Sequence, residues 1–180
     1  GSVPSYHWRR ARSCRYTGGV TRHQAAEPDE RVARWLAAIE ARHLADLRFP
    51  EVTQALRALS SAYVERRGRL ARGAALDGAG KRAAFALFYG PLHFLTIRHI
   101  VGVVDGARPP LDEVFDVGCG TGVAGAAWAL GQGAGVRVSG VDLHPWAVDE
   151  ARWTCATLGL ATGRISRADG SRAALPRPPV

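Results

Sequence analysis

The chain has 180 residues, of which 47% are hydrophobic, so it is long enough to bury the core of one folded domain. Lys and Arg number 24 and Asp and Glu 16, and the net charge of +8 favours polyanionic partners such as nucleic acid. Only Lys81 is a lysine and asparagine is absent, a bias typical of a GC-rich coding sequence, so the charge alone does not decide the partner. Cys14, Cys119 and Cys155 lie far apart, which argues against a disulfide framework or metal site and indicates a reducing compartment.

Residues 1–26 are predicted to be a basic, flexible N-terminal arm, since they contain five arginines and no acidic residue. Tyr6, Trp8 and Tyr16 alternate with the arginines, a pattern suited to stacking on RNA bases. An arginine-rich start is also typical of an organelle transit peptide or, the interpretation we favour, of a poorly ordered terminus. Gly1-Ser2 without an initiator Met is typical of a cleaved expression tag.

Residues 27–108 are predicted to form a helical region. Pro28 and the acidic residues after it begin a helix over 28–48 that Pro50 ends, and a second helix follows from Glu51 to about Arg67. His43 is expected at the surface.

The segment 81–104 is the most apolar part of the chain. We expect it to be buried on several sides and to be broken or kinked at Gly90-Pro91, which makes two helices. No run reaches the ~20 apolar residues of a membrane span, so no membrane association is expected. His93, Arg98 and His99 either face a substrate or, as we favour, are polar residues satisfied at the edge of a packed helix.

Residues 109–180 alternate strand and helix patterns, which predicts an α/β fold with a parallel sheet. The expected strands cover 111–117, 136–141 and 164–168, and the expected helices cover 122–130 and 145–159. The sheet is expected to be truncated after about three strands. Its first strand would then have an open edge, for dimerisation or for a missing C-terminal portion.

A glycine-rich loop after the first strand, Asp116 to Gly125, is the strongest functional signal. Glycines let a ligand approach the backbone, and the following helix points free N–H groups at it. Gly120 to Gly125 matches the dinucleotide fingerprint G-x-G-x-x-G. However, Asp116 precedes the glycines, and an acid there suits a ligand with a cationic end, such as S-adenosylmethionine. An ordinary tight turn with a solvated Asp is the least favoured alternative.

Two further acids follow the next two strands. Asp142 ends the second strand twenty residues after Gly122, the position from which a carboxylate binds ribose hydroxyls. Asp169 ends the third strand, where a carboxylate can accept a bond from an adenine amino group. Three acids at successive strand ends therefore predict a ribose-bearing cofactor with a cationic end.

The segment Asp116–Gly122, together with Gly140-Val141-Asp142, resembles motif I and the following acidic motif of class I S-adenosylmethionine-dependent methyltransferases. More narrowly, Phe88–His99 and His144–Trp153 make residues 60–170 similar to the ribosomal small-subunit methyltransferase-like family of bacteria and mitochondria. Members of that family carry a helical region before a Rossmann-like methyltransferase fold.

The resemblance implies a methyltransferase that acts on rRNA or a ribosomal component, in the cytoplasm of a bacterium or alternatively in mitochondria. Asp142 would bind ribose, Asp169 with Gly170 would flank adenine, and His144 and Trp146 would wall the ribose or adenine side. Trp146 and Trp153 lie seven residues apart on one helix face, so a packing role is an equal alternative for both. The methionine end of the cofactor would be lined by Asp116, Gly118, Gly120 and Gly122. The predicted cofactor-binding set is completed by Cys119, Thr121 and Leu143.

The chain departs from the class I pattern because it ends before a fourth strand and its acceptor motif. We therefore predict no catalytic residue. The alternatives are a non-catalytic ribosome-assembly factor, a methyltransferase for a small molecule or peptide, and a nicotinamide-dependent enzyme.

Overall fold

The computed structural model of the chain describes residues 28–65, 76–104, 111–133 and 135–173. The predicted basic arm at 1–26, most of the glycine-rich link after the second helix, and the C-terminal residues lie outside the described residues. The helices are α1 Pro28–His43, α2 Phe49–Glu65, α3 Ala79–Val104, α4 Val123–Gln132 and α5 Pro145–Thr157. The strands are β1 Glu113–Val117, β2 Arg137–Asp142 and β3 Ala161–Arg167, followed by a 3₁₀ turn, Gly170–Arg172.

The described strands form one parallel sheet in the order β1-β2-β3, which confirms the predicted α/β class. Asp116 of β1 lies opposite Gly140 of β2, and Asp142 of β2 lies opposite Arg167 of β3. The carboxyl ends of all three strands therefore meet at one edge of the sheet. That edge is where open α/β sheets bind their ligands.

One hydrophobic cluster joins the helical region to the sheet region. Trp35 of α1 packs on Phe94 of α3 with the ring centroids 5.2 Å apart, and both side chains are fully buried beside Ala126 of α4. Burying an aromatic side chain of this size stabilises a fold by about 1.5–3 kcal/mol. The core thus crosses the predicted division at residue 108. A second cluster, between the sheet and α4 and α5, includes Val138, Val148, Cys155 and Ile165.

The first predicted helix was too long, because α1 ends at His43 and a bend follows. Pro50 does not end that helix but lies in the first turn of α2, where its missing N–H has no partner to lose. The Glu51 carboxylate accepts a hydrogen bond of 2.7 Å from the backbone N–H of Arg48, just before the helix. This contact is half of a capping box and fixes the start of α2.

Gly90-Pro91 does not end the helix, since α3 runs through it for 26 residues, but the helix type changes there. Proline lacks an N–H and its ring clashes with the carbonyl four residues earlier. The helix accommodates this with a π segment, Phe85–Tyr89, in which the N–H of Gly90 reaches the carbonyl of Phe85, five residues back. The predicted division is therefore a π segment directly before Gly90 and not a break.

The predicted burial of α3 on several sides holds for only part of its length. Ala83 and Ala84 pack on α2, and Ala86 and Phe94 pack with side chains of α1 and α4. Large apolar side chains remain exposed at Phe88, Leu92, Leu95, Ile100, Val103 and Val104. By length and composition α3 could cross a membrane. A stretch of 18 residues in it has a mean hydropathy of 1.3, and 17% of that stretch is buried. The search of the sequence for a run of apolar residues did not reveal that this helix is long and apolar enough to span a membrane. The absence of membrane association stays a prediction.

Candidate functional site

A cavity of about 310 Å³, hereafter the strand-end cavity, lies between the carboxyl end of β1 and α3. Its loop side is formed by Asp116, Gly118, Cys119, Gly120 and Thr121, five members of the predicted cofactor-binding set. The helix side is formed by Phe85, Tyr89 and His93, and the floor by Val123 and Ala124. The volume lies at the small end of the range for ligand pockets, ~300–1,000 Å³.

Three glycines of the loop adopt left-handed backbone conformations, with φ of 74° at Gly118, 51° at Gly120 and 74° at Gly122. A side chain at Gly118 would meet nothing within 4 Å, whereas a Cβ at Gly122 would lie 2.9 Å from the Cβ of Ala151. Gly118 therefore leaves space beside the cavity. Gly122 is needed instead for the close packing of α4 on α5.

The Asp116 carboxylate occupies the N-terminus of α4. Its Oδ2 accepts a hydrogen bond of 3.1 Å from the backbone N–H of Gly125, the third residue of that helix. Burial raises the pKa of Asp116; the Gly125 N–H lowers it and the nearby Asp142 charge raises it. In the part of the chain that the structure describes, no cation pairs with this carboxylate. A ligand cation in the cavity would offset the cost of that buried charge.

Asp142 holds the loop in shape. Its Oδ2 accepts a bond of 2.9 Å from the N–H of Gly120, and its Oδ1 accepts one of 2.8 Å from the N–H of His144. A carboxylate has about four acceptor sites, so each oxygen keeps one for a ligand. Asp142 does not line the strand-end cavity but lies directly behind its loop.

Asp169 and Gly170 reach the same edge of the sheet. A Cβ on Gly170 would lie 2.6 Å from Cγ1 of Val117, so the end of β3 contacts the end of β1. The Asp169 carboxylate is engaged in its own turn, where Oδ1 accepts bonds from the N–H and the hydroxyl of Ser171. These bonds lower its pKa. Ser171 therefore competes with a ligand for the Asp169 oxygen that the sequence predicts to accept a bond from the adenine amino group.

Leu143, His144 and Trp146 lie beyond Asp142, outside the lining of the strand-end cavity. Leu143 is exposed. Trp146 is partly buried, and its ring meets those of Phe85 and His144 edge-on at 6.5 and 6.3 Å. Trp146 therefore packs behind Phe85, as the packing alternative expected, and contacts the cavity only through that ring.

Two buried polar atoms near the loop, Oγ1 of Thr121 and Nδ1 of His144, lack a hydrogen-bond partner among the described residues. Thr121 is 3% exposed and lines the cavity, but its Oγ1 is buried against α3, where a Cβ on Gly90 would lie 3.8 Å from it. A buried hydroxyl without a partner costs about 1–3 kcal/mol. This cost belongs to the packing of the loop on α3 and not to the open cavity.

Sequence reasoning missed the helix side of the cavity. The rings of Phe85 and Tyr89 lie 5.8 Å apart at the two ends of the π segment. Such segments occur often at functional sites, but the Gly90-Pro91 pair in the sequence predicted a break or kink and not a π segment. His93 faces the cavity, in line with the substrate-facing alternative. Arg98 instead contacts Asp29 of α1 at 2.5 Å.

His43 is not the surface residue that the sequence predicted. Its side chain is 10% exposed, and its Nε2 lies 2.7 Å from Oε1 of the buried Glu150. Glu150 also accepts a bond of 3.2 Å from Nε of Arg42, so one carboxylate joins α1 to α5.

Burial raises the pKa of Cys119 and of Cys155 to about 12, which favours the protonated thiol over the nucleophilic thiolate at neutral pH. Cys119 therefore contributes an apolar surface to the cavity. Across residues 28–65, 76–104, 111–133 and 135–173, the structure shows no group of three metal-ligating side chains.

No protein-family model, curated protein or solved structure matches this chain.

Proposed function

We propose that the strand-end cavity binds S-adenosylmethionine and that the chain is the cofactor-binding part of a methyltransferase that acts on rRNA or a ribosomal component. The position of Asp116 carries this proposal. Its carboxylate occupies the helix N-terminus that would otherwise bind an anion, so the cavity presents negative rather than positive potential. A ligand with a positive end fits that potential.

The same observation argues against a nicotinamide dinucleotide. A pyrophosphate at the N-terminus of α4 would lie against the Asp116 carboxylate, which already takes the N–H of Gly125. In dinucleotide sites the second glycine lets the pyrophosphate approach, but here Gly122 is buried against Ala151. The match to G-x-G-x-x-G at Gly120 to Gly125 is thus explained by backbone conformation and packing.

Aromatic side chains supply a second argument for a cationic ligand. Phe85 and Tyr89 form one wall of the cavity opposite the loop. Aromatic rings attract cations by ~0.5–2 kcal/mol, more where water is excluded. Asp116 and this wall would together hold a sulfonium or ammonium group.

The remaining site residues have roles that the geometry supports. The open face of Gly118 admits the ligand, and Asp142 holds the loop with acceptor sites left for ribose hydroxyls. Bound there, the cofactor would supply an activated methyl group. Asp116 and the loop would orient it, and catalysis would come mainly from positioning.

An RNA acceptor is supported by the net charge of +8 and by the resemblance in the sequence. The test is transfer of radiolabelled methyl from S-adenosylmethionine to small-subunit rRNA by the 180-residue chain. Labelled RNA is the expected result. Cofactor binding without label in RNA would contradict the enzymatic proposal and favour the assembly factor, and NAD binding in place of S-adenosylmethionine would contradict the cofactor.

A further inference from the structure

A second cavity, hereafter the arginine cavity, lies on the other side of Trp146. It has a volume of about 210 Å³ and is formed by Arg42, His43 and Asp46 at the end of α1, Arg82 of α3, and the ring of Trp146. It contains none of the strand-end cavity's lining residues. Whatever binds there is therefore a separate ligand or a separate part of one.

Both arginines of this cavity are held by one nitrogen only. Nε of Arg42 donates to Oε2 of Glu150 at 3.2 Å, and the guanidinium lies 4.8 Å from the centre of the Trp153 ring. Nε of Arg82 donates to the carbonyl of Leu76 at 3.0 Å. Within the described part of the chain, the terminal nitrogens of Arg42 and Arg82 have no hydrogen-bond partner. Each guanidinium is thus fixed in place with donors left over.

The free donors around the cavity, and not its net charge, favour an anion. Arg42 is paired with the buried Glu150, which also takes Nε2 of His43, whereas Arg82 has no carboxylate partner among the described residues. Asp46 supplies the carboxylate in the lining of the cavity. Asp46 forms no ion pair in the described residues, so its charge opposes an anion and limits its affinity. Fixed guanidinium groups bind phosphate oxygens through paired N–H bonds, which is the chemistry that these donors offer.

The size of the cavity narrows the ligand further. Its volume is below the ~300 Å³ at which pockets enclose a drug-sized molecule. A single phosphate group fits such a space, with the attached part of the ligand extending into solvent. The Trp146 ring gives that attached part an apolar surface to lie against.

We propose that the arginine cavity is a phosphate-binding site, for a phosphate group of a small compound or of a nucleic-acid chain. The site does not depend on the ligand of the strand-end cavity. Phe85 lines the strand-end cavity and Trp146 lines the arginine cavity, and their rings lie 6.5 Å apart, so two aromatic side chains separate a phosphate bound at Arg42 and Arg82 from the proposed cofactor.

The test is calorimetric titration of the 180-residue chain with inorganic phosphate and with an unstructured RNA oligonucleotide at low salt. Arg82→Gln should weaken phosphate binding at least about tenfold, because charge-assisted bonds are lost. Arg34→Gln is the matched control, since Arg34 is exposed on α1 and lies outside the cavity. It should change the affinity less than about twofold.

The oligonucleotide separates the two sources of phosphate. A loss of RNA affinity in Arg82→Gln beyond that in Arg34→Gln supports a nucleic-acid ligand, and a loss of phosphate binding alone supports a small compound. Asp46→Asn, which breaks no contact of the fold, should tighten phosphate binding and serves if Arg82→Gln does not fold. Absence of phosphate binding, or equal weakening by Arg82→Gln and Arg34→Gln, would overturn the proposal.

Discussion

The two cavities of this chain lie on opposite sides of the Phe85–Trp146 pair and are built differently. The strand-end cavity is built from backbone, small residues and the buried carboxylate of Asp116, whereas the arginine cavity is built from long side chains around Arg42 and Arg82. The loop of the first is fixed by left-handed glycines, and Arg42 of the second is held by its ion pair with Glu150. Under our two proposals, the backbone site takes a cationic ligand and the adjacent side-chain site takes an anionic one.

The largest expected effect is on the backbone of the strand-end cavity. Gly122→Ala forces a side chain into left-handed backbone and against Ala151, and it should cost about 3 kcal/mol of unfolding free energy. Gly118→Ala is the matched control, since it has the same φ but open space, and it should cost about 1 kcal/mol. Urea denaturation measures both, and equal costs would show that α5 does not restrict the loop.

The corresponding change beside the arginine cavity is Glu150→Gln. Glu150 is 1% exposed and joins Arg42 and His43 of α1 to α5, so losing its charge should destabilise the fold by about 2 kcal/mol. This value is below that for a fully buried pair because the Arg42 side chain is 43% exposed and is solvated in part. Asp149→Asn, at an exposed neighbour, should cost less than about 0.5 kcal/mol. Similar denaturation midpoints for the two variants would contradict this account.

Asp116→Asn should make the protein more stable at neutral pH. The folded-state pKa of Asp116 is raised above 3.8, so the native state keeps a proton that the unfolded chain has lost, and stability falls as pH rises from 3.8 through that raised pKa. Asparagine has no charge to bury, so it avoids this loss of stability, and its amide oxygen can still accept the hydrogen bond from the N–H of Gly125. Melting temperatures measured from acid to neutral pH should therefore diverge in favour of the variant. Parallel curves would show that the carboxylate is not destabilised by burial.

The smallest expected effect is that of salt concentration on ligand affinity at the strand-end cavity. Between about 50 and about 500 mM salt, phosphate affinity at the arginine cavity should fall severalfold because Arg42 is partly exposed. S-adenosylmethionine affinity should change less than about twofold, since Asp116 is shielded from the solvent. Calorimetry at the two salt concentrations checks this, and equal salt dependence would remove the distinction between the cavities.

The sequence was sufficient for the parts of the fold that depend on local chemistry. The strand, glycine loop and helix around Asp116 follow from glycines that need positive φ and from apolar periodicity, and the parallel sheet follows from the alternation of strands and helices. The convergence of Asp142 and Gly170 on the loop follows from the topology of a parallel sheet.

The rest depends on contacts between residues far apart in the chain. The bonds from Arg42 and His43 to Glu150 join residues more than 100 positions apart, and no local pattern signals them. The π segment before Gly90 and the exposed face of α3 depend on what packs against the helix. The engagement of Asp169 by Ser171 is local but competes with a ligand role, which the spacing of acids does not reveal.

The central claim is that Asp116 makes the strand-end cavity a site for a cationic cofactor. Calorimetric titration of the chain and of Asp116→Asn with S-adenosylmethionine and with NAD tests it directly. We predict that the chain binds S-adenosylmethionine and not NAD, and that Asp116→Asn weakens this binding at least about tenfold, as expected for a lost interaction with a charged group. Binding of NAD, or S-adenosylmethionine affinity unchanged by Asp116→Asn, would contradict the claim.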